Sequence, residues 1–181
     1  ASKSLMNRSL IIQSFFPELK VIGDSKCSDV KDMKLALMSM KAGTDIFCGD
    51  AGTVLRFMAF HCSRHPGKYK LVGSPRLLSR PHDDLAVILS KLGVKVDVRK
   101  DGIEIQSEGW KDPGKTLMIS RATSSQFASG LLLNAWNLDF ELDFEMESGV
   151  SEGYWRMSVQ MVRDMGMTVQ TDGWRWRVSQ G

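Results

Sequence analysis

Leu92-Gly93-Val94-Lys95-Val96-Asp97-Val98-Arg99-Lys100-Asp101-Gly102-Ile103-Glu104-Ile105 runs out through one alternating stretch, turns, and comes back through another. Alternation of Val94, Val96 and Val98 with Lys95, Asp97 and Arg99 gives a strand one apolar face and one charged face. Asp101-Gly102 between two such runs predicts a hairpin turn, because both central positions of the favoured turn need positive φ. The plan recurs at Met165-Gly166-Met167, which leads through Val169 and Asp172-Gly173 and returns through Trp174, Trp176 and Val178. The two copies stop at Gly109 and Gly181. An amphipathic helix precedes each, carrying Leu85, Ile88, Leu89 and Leu92 in one copy and Met157, Met161 and Met165 in the other.

Extended backwards, each copy becomes a unit of about sixty residues, a period within reach of repeat architectures though longer than the usual solenoids. An apolar helix comes first, then a strand (Tyr69–Gly73 or Phe140–Met146), the amphipathic helix and the hairpin. A shorter version opens the chain, with an inner helix near Ser4–Phe16, a strand at Lys20–Gly23 and an outer helix near Asp29–Lys41. The inner helices are apolar nearly all round, as in Phe57-Met58-Ala59-Phe60, which predicts burial on every side with sheets outside them. The expected fold is α/β, one domain over residues 1–181 made of three pseudo-symmetric units whose inner helices run parallel.

Each inner helix opens on small, hydroxyl-bearing or cationic residues: Ser2-Lys3-Ser4 with Arg8, Gly49-Asp50-Ala51-Gly52-Thr53 with Arg56, and Thr123-Ser124-Ser125-Gln126. A helix N-terminus presents unpaired N–H groups and a partial positive charge, so it attracts anions. Three such ends brought together by pseudo-symmetry predict a site for a polyanionic ligand.

The bulk numbers narrow the class. At 181 residues, 43% hydrophobic and 25% charged, the chain is long enough and apolar enough to bury a core. A net charge of +3 is too mild for a nucleic-acid-binding surface. Cys27, Cys48 and Cys62 form no CxxC pair and read as reduced thiols. His61, His65 and His82 lack metal-ligand spacing, and the methionines fall at helical spacing as core filling. No apolar run is long enough to span a bilayer and no signal peptide is evident, so a cytoplasmic protein is expected.

In order along the chain, four motifs resemble the 5-enolpyruvylshikimate-3-phosphate synthase family, the 3-phosphoshikimate 1-carboxyvinyltransferases. Ser2-Lys3-Ser4-Leu5-Met6-Asn7-Arg8 resembles its Lys-Ser…Arg segment, and Gly49-Asp50-Ala51-Gly52-Thr53-Val54-Leu55-Arg56 its Gly-Asn-Ala-Gly-Thr-x-x-Arg loop. Pro75-Arg76-Leu77-Leu78-Ser79-Arg80-Pro81 resembles its Pro-Arg-x-x-x-Arg-Pro segment. Thr123-Ser124-Ser125-Gln126-Phe127 resembles its Ser-Ser-Gln-Phe motif, with Ser151 and Tyr154 matching a later Ser-x-x-Tyr. Asp50 stands where the family usually has Asn, and Glu152-Gly153 where it commonly has Lys-Pro.

The resemblance implies carboxyvinyl transfer from phosphoenolpyruvate to the 5-hydroxyl of shikimate 3-phosphate, in aromatic amino-acid biosynthesis, with no metal or organic cofactor. It implies that shikimate 3-phosphate is bound by Lys3, Ser4, Arg8, Ser124, Ser125, Gln126, Ser151 and Tyr154. Guanidinium suits the carboxylate because it offers two parallel donors. Phosphoenolpyruvate would meet Lys3, Gly52, Thr53, Arg76 and Gln126, with Arg80 supporting the loop and Arg56 either bracing it or touching ligand. Lys3 and Gln126 would be the catalytic contributions of this chain. The family's enzyme closes two lobes on its substrates, and this chain matches one. Its partner would be the second lobe, which carries the main proton-transfer groups, so the chain alone is expected to be inactive. Neither nucleic acid nor membrane is implied as a partner. Two other readings stay open: a non-catalytic anion-binding module, and the sister enolpyruvyltransferase acting on UDP-N-acetylglucosamine. The latter commonly uses a loop cysteine, which Gly73-Ser74-Pro75-Arg76 lacks.

Overall fold

Val54–Ser63 offers no polar face to solvent, and every residue of it is buried. It belongs to helix α3 (Gly52–Ser63) in a computed structural model that describes residues 2–23, 25–120, 122, 124–147 and 149–180. Helix α6 (Gln126–Leu133) is buried from Phe127 onward and packs along α3. The helix α1 (Lys3–Phe15) is the third inner helix, and it buries Met6, Asn7, Arg8, Leu10, Ile11 and Ile12. Burial on every side, expected of all three, fails for α1, whose Leu5 is 43% exposed.

Around these lie the outer helices α2 (Ser28–Ala42), α5 (Asp83–Lys91) and α7 (Glu152–Asp164), with a single turn, α4 (Pro75–Leu78), before α5. Two four-stranded sheets complete the fold. The first contains β1 (Ile46–Phe47), β2 (Gly67–Val72), β3 (Lys95–Arg99) and β4 (Gly102–Ser107) in the order β1-β2-β4-β3. The second contains β5 (Leu117–Ile119), β6 (Leu142–Met146), β7 (Thr168–Asp172) and β8 (Arg175–Ser179) in the order β5-β6-β8-β7. Each sheet has one parallel pair, formed by the strand before the inner helix and the strand after it, followed by an antiparallel hairpin. The second and third units are therefore copies of one plan.

One expectation for the first unit needs correction. Residues 20–23 form no strand, and Ile22 is 91% exposed. No hairpin follows α2, since Gly43 at φ +71 ends that helix and the chain enters β1 three residues later. A strand at 20–23 has no neighbour to complete its ladder, which is why a stretch of strand-forming residues stays unpaired.

The hairpins form where expected, but their turns sit one residue away from the expected centre. Arg99 pairs with Gly102, so the first turn is Lys100-Asp101; Asp172 pairs with Arg175, so the second is Gly173-Trp174. Asp101 has no positive φ, and Gly102 begins the return strand, where a Cβ would meet the Leu71 carbonyl at 2.5 Å. Glycine is needed there for close approach to β2, rather than for the turn. The expected stop at Gly181 lies outside the described residues.

Candidate active site

Four helices begin at one place. Lys3, Ser4 and Arg8 of α1, Thr53 of α3, Ser124, Ser125 and Gln126 at α6, and Ser151 and Tyr154 at α7 line a cavity of about 200 Å³. Every expected shikimate-3-phosphate residue is among them. Thr123 lies outside the described residues. Ser2, Ala51, Ser125 and Ser151, at the N-cap positions of these helices, make no side-chain cap hydrogen bond. Helix α4, away from the cavity, is capped in the ordinary way by Ser74 Oγ accepting from Leu77 N. Ser2, Ala51 and Ser151 thus take up no first-turn N–H with a side chain, whereas Ser124 Oγ takes that of Gln126, and the positive ends of the four dipoles gather at the cavity.

Ser124 Oγ accepts from the Gln126 backbone N at 3.0 Å, and Ser125 is buried at the cavity wall. Ser151 sits at φ 63, ψ 40, a left-handed conformation uncommon for a residue with a Cβ. Its carbonyl accepts from Tyr154 N at 3.1 Å, starting α7 at a sharp angle beside the cavity.

Arg8 is 3% exposed, with its guanidinium between the rings of Phe57 and Tyr154, 5.4 and 5.8 Å from their centroids. Burial lowers its pKa to about 10, so it remains cationic at neutral pH. Lys3 is largely exposed, and its Nζ pairs with Asp29 at 3.1 Å on the first turn of α2. The hydrogen bond and charge of Asp29 raise its pKa.

The expected phosphoenolpyruvate residues divide. Lys3, Thr53 and Gln126 reach the cavity, while Gly52 and Arg76 are not in its lining. Arg76 has 81% of its side chain exposed and lies 3.8 Å from Asp50, which also accepts a short hydrogen bond from Ser74 Oγ. Asp50 therefore ties down the exposed loop and does not intrude on the cavity. Gly52 lies close under two side-chain ends: a Cβ there would lie 2.7 Å from Arg80 Nη1 and 3.2 Å from Gln126 Oε1, and both would have to shift. Side chains of this chain already occupy the close approach that the sequence suggested for ligand.

Arg80, expected only to support its loop, borders a second cavity of about 310 Å³ with Arg56, Pro81, Ser124 and Gln126. Ser124 and Gln126 are common to both cavities. Arg56 donates from Nη1 to Gln126 Oε1 at 2.7 Å and stacks 4.4 Å from the Phe127 ring centroid. Burial, and then the neighbouring Arg80 charge, lower its pKa to about 10. Two guanidinium groups border this space, and among the described residues no carboxylate lines it. The signal lay in the second arginine of Pro75-Arg76-Leu77-Leu78-Ser79-Arg80-Pro81, whose Nη1 comes beside Gly52 while Arg76 meets Asp50.

Converging helix starts beside buried guanidinium groups make this an α/β fold with a cationic cleft at the helix N-termini. The family model for EPSP synthase (3-phosphoshikimate 1-carboxyvinyltransferase) matches residues 15–180, and the chain belongs to that family. It is 32% identical over 170 residues to the 3-phosphoshikimate 1-carboxyvinyltransferase of Bacteroides fragilis, covering 92% of this chain and 41% of the relative. The Colwellia psychrerythraea enzyme of the same name is 26% identical, with 96% of this chain and 47% of the relative covered. The EPSP synthase structure from Acinetobacter baumannii shares the fold at a TM-score of 0.75 and 19% identity, over 99% of this chain and 46% of that one. The chain thus spans a little under half the length of these relatives. Among the described residues no helix is long and apolar enough to cross a membrane.

Proposed function

We propose that this chain is the shikimate-3-phosphate-binding lobe of a cytoplasmic 3-phosphoshikimate 1-carboxyvinyltransferase. The observation that carries the reading is the cavity itself, where all eight expected shikimate-3-phosphate residues meet at the starts of four helices. Ser124, Ser125 and Ser151 supply hydroxyls for the phosphate, together with first-turn N–H groups. Ser4 and Arg8 face the carboxylate, and Tyr154 closes the side. Such preorganised donors stabilise anionic groups without reorganisation cost at the moment of reaction.

Phosphoenolpyruvate would occupy the adjoining cavity, its anionic groups on Arg80 and Arg56, in place of Arg76. Gln126, shared by both cavities, and Lys3 lie where the two ligands would meet. Two guanidinium groups offset the repulsion between two anionic substrates in one cleft. Transfer joins the enolpyruvyl carbon to the 5-hydroxyl oxygen, then eliminates phosphate from the tetrahedral adduct. Its proton transfers belong to the second lobe, the partner of this chain.

The test is a titration of the isotopically labelled chain with shikimate 3-phosphate, followed by NMR. Shifts should concentrate at Ser4, Arg8, Ser124–Gln126 and Ser151–Tyr154. Saturable shifts on the outer sheet faces, or none, would remove this reading.

A further inference from the structure

We propose that Ser158, backed by Ser129, is a positioning residue that aims Arg8 at the ligand carboxylate; this rests on the reading of the cavity given above. Neither serine lines the cavity, and both are fully buried. Ser158 lies on α7 and Ser129 on α6, so two helices meet there at a hydroxyl pair rather than an apolar contact. Two serines in the middle of a core have to be explained by what they bond, because an unbonded hydroxyl there is destabilising.

Arg8 gives the explanation. Its Nε donates to Ser158 Oγ at 2.8 Å, its Nη1 to the Ser4 carbonyl at 2.9 Å, and its Nη2 to the Tyr154 carbonyl at 3.1 Å. Among the described residues it has no carboxylate partner. Of the five N–H groups of a guanidinium, three are then engaged, which leaves one on each Nη. One free N–H on each Nη is what a two-point bond to a carboxylate needs.

Ser158 Oγ lies 2.9 Å from Ser129 Oγ and 3.1 Å from the Tyr154 carbonyl. A hydroxyl has one proton and two lone pairs. When Ser158 donates to Tyr154, its lone pairs accept from Arg8 Nε and from the Ser129 hydroxyl, so nothing at this buried junction is left unpaired. The Tyr154 carbonyl accepts from both Arg8 and Ser158, which fixes the guanidinium against the first turn of α7. Rotation of the guanidinium would break the Ser158 bond first, since that bond alone restrains Nε.

Three variants test this: Ser158→Ala, Ser158→Thr and Ser129→Ala. Their affinities for shikimate 3-phosphate, shikimate and inorganic phosphate are measured by NMR titration, together with the 15N resonance and hydrogen exchange of Arg8 Nε–H. Ser158→Ala should weaken shikimate 3-phosphate and shikimate by the same factor, about tenfold, for one lost charge-assisted contact. Inorganic phosphate affinity should not change, while the Nε–H resonance moves and exchanges faster. Ser158→Thr should restore both, and Ser129→Ala should show a smaller loss in the same order. If Ser158→Ala does not fold, Ser129→Ala carries the same comparison against the unsubstituted chain. Equal losses for phosphate and shikimate, or an unmoved Nε–H resonance, overturn the positioning role. If the unsubstituted chain binds neither shikimate nor shikimate 3-phosphate, the functional reading falls and the aim of Arg8 falls with it. Normal binding with unresponsive variants overturns the positioning role alone.

Discussion

Arg56 Nη1 donates to Gln126 Oε1 at 2.7 Å, and Gln126 Nε2 donates to Thr53 Oγ1 at 2.9 Å. One side-chain amide thus joins the start of α6 to the first turn of α3 at two points, and its orientation is fixed by having a donor on one side and an acceptor on the other. Because the same glutamine separates the two cavities, this bond holds their common wall.

A double-mutant cycle on Arg56 and Gln126 should show strong coupling. A hydrogen bond to a charged group contributes about 1.5–3 kcal/mol, and Arg56 has its Nε already buried without a partner. Arg56→Ala and Gln126→Ala should each destabilise by an amount of that order, and the double variant by clearly less than the total of the two. Chemical denaturation measures all three, and additive losses would mean that the bond carries no net stability.

Arg8→Ala should weaken shikimate 3-phosphate binding by roughly ten- to a hundredfold, while Arg76→Ala should leave it nearly unchanged. The difference follows from placement. Arg8 is buried at the cavity, whereas Arg76 is 81% exposed in a surface ion pair with Asp50, of a kind whose net effect is about 0–1 kcal/mol. Calorimetric titration decides it, with thermal melts confirming that each variant is folded. An equal effect of the two substitutions would remove the carboxylate role of Arg8.

Acid should destabilise the fold through His61. Asn134 Nδ2 donates to the Phe57 and Gly130 carbonyls, so its Oδ1 is the acceptor facing His61 Nδ1 at 3.0 Å, and the neutral ring carries its proton on Nδ1. Burial is the main cause of a folded-state pKa of about 3, with the neighbouring His65 adding to it. The unfolded ring titrates near about 6.5, so the contribution is fully present above that pH and is lost as pH falls towards the folded value. The slope is at most about 1.4 kcal/mol per pH unit for one proton. Denaturant midpoints between pH 7 and 4 should fall less steeply in His61→Gln, and an unchanged slope would assign the acid sensitivity to other groups. His65 and His82 are also lowered by burial and act in the same direction.

What the sequence disclosed was whatever depends on periodicity and on short motifs. The full burial of α3 and α6, both hairpins and the gathering of helix starts were legible, because an all-apolar helix and an alternating strand each have one way to be covered. The gap in the first unit was not legible. Lys20–Gly23 has strand-forming residues, but pairing is a property of the neighbour, and no hairpin follows α2 to supply one. The different surroundings of Arg76 and Arg80 were hidden for a similar reason. They are four residues apart in one loop, and only the tertiary fold decides which comes beside Gly52 and which meets Asp50. Ser129 and Ser158 read as ordinary helix positions, since nothing local shows that Arg8 will lie over them.

The isolated chain should bind shikimate 3-phosphate weakly, phosphoenolpyruvate hardly at all, and turn over neither. Each helix end contributes about 0.3–1 kcal/mol to holding an anion, and Arg8 about 1.5–3 kcal/mol. Together these amount to a few kcal/mol, which corresponds to a dissociation constant on the order of a millimolar. Phosphoenolpyruvate has less to hold it, because Arg56 is partly engaged by Gln126 and Lys3 is paired with Asp29. Aligning both substrates and moving protons between them requires groups on the far side of the cleft, which the relatives' remaining half would bring and closure would desolvate. Phosphate release from a mixture of both substrates should therefore stay at background with the purified chain. It should rise when the complementary half of a relative is added and docks. Robust turnover by the chain alone would show that the two cavities are already a complete active site, and would end the two-lobe account of its chemistry.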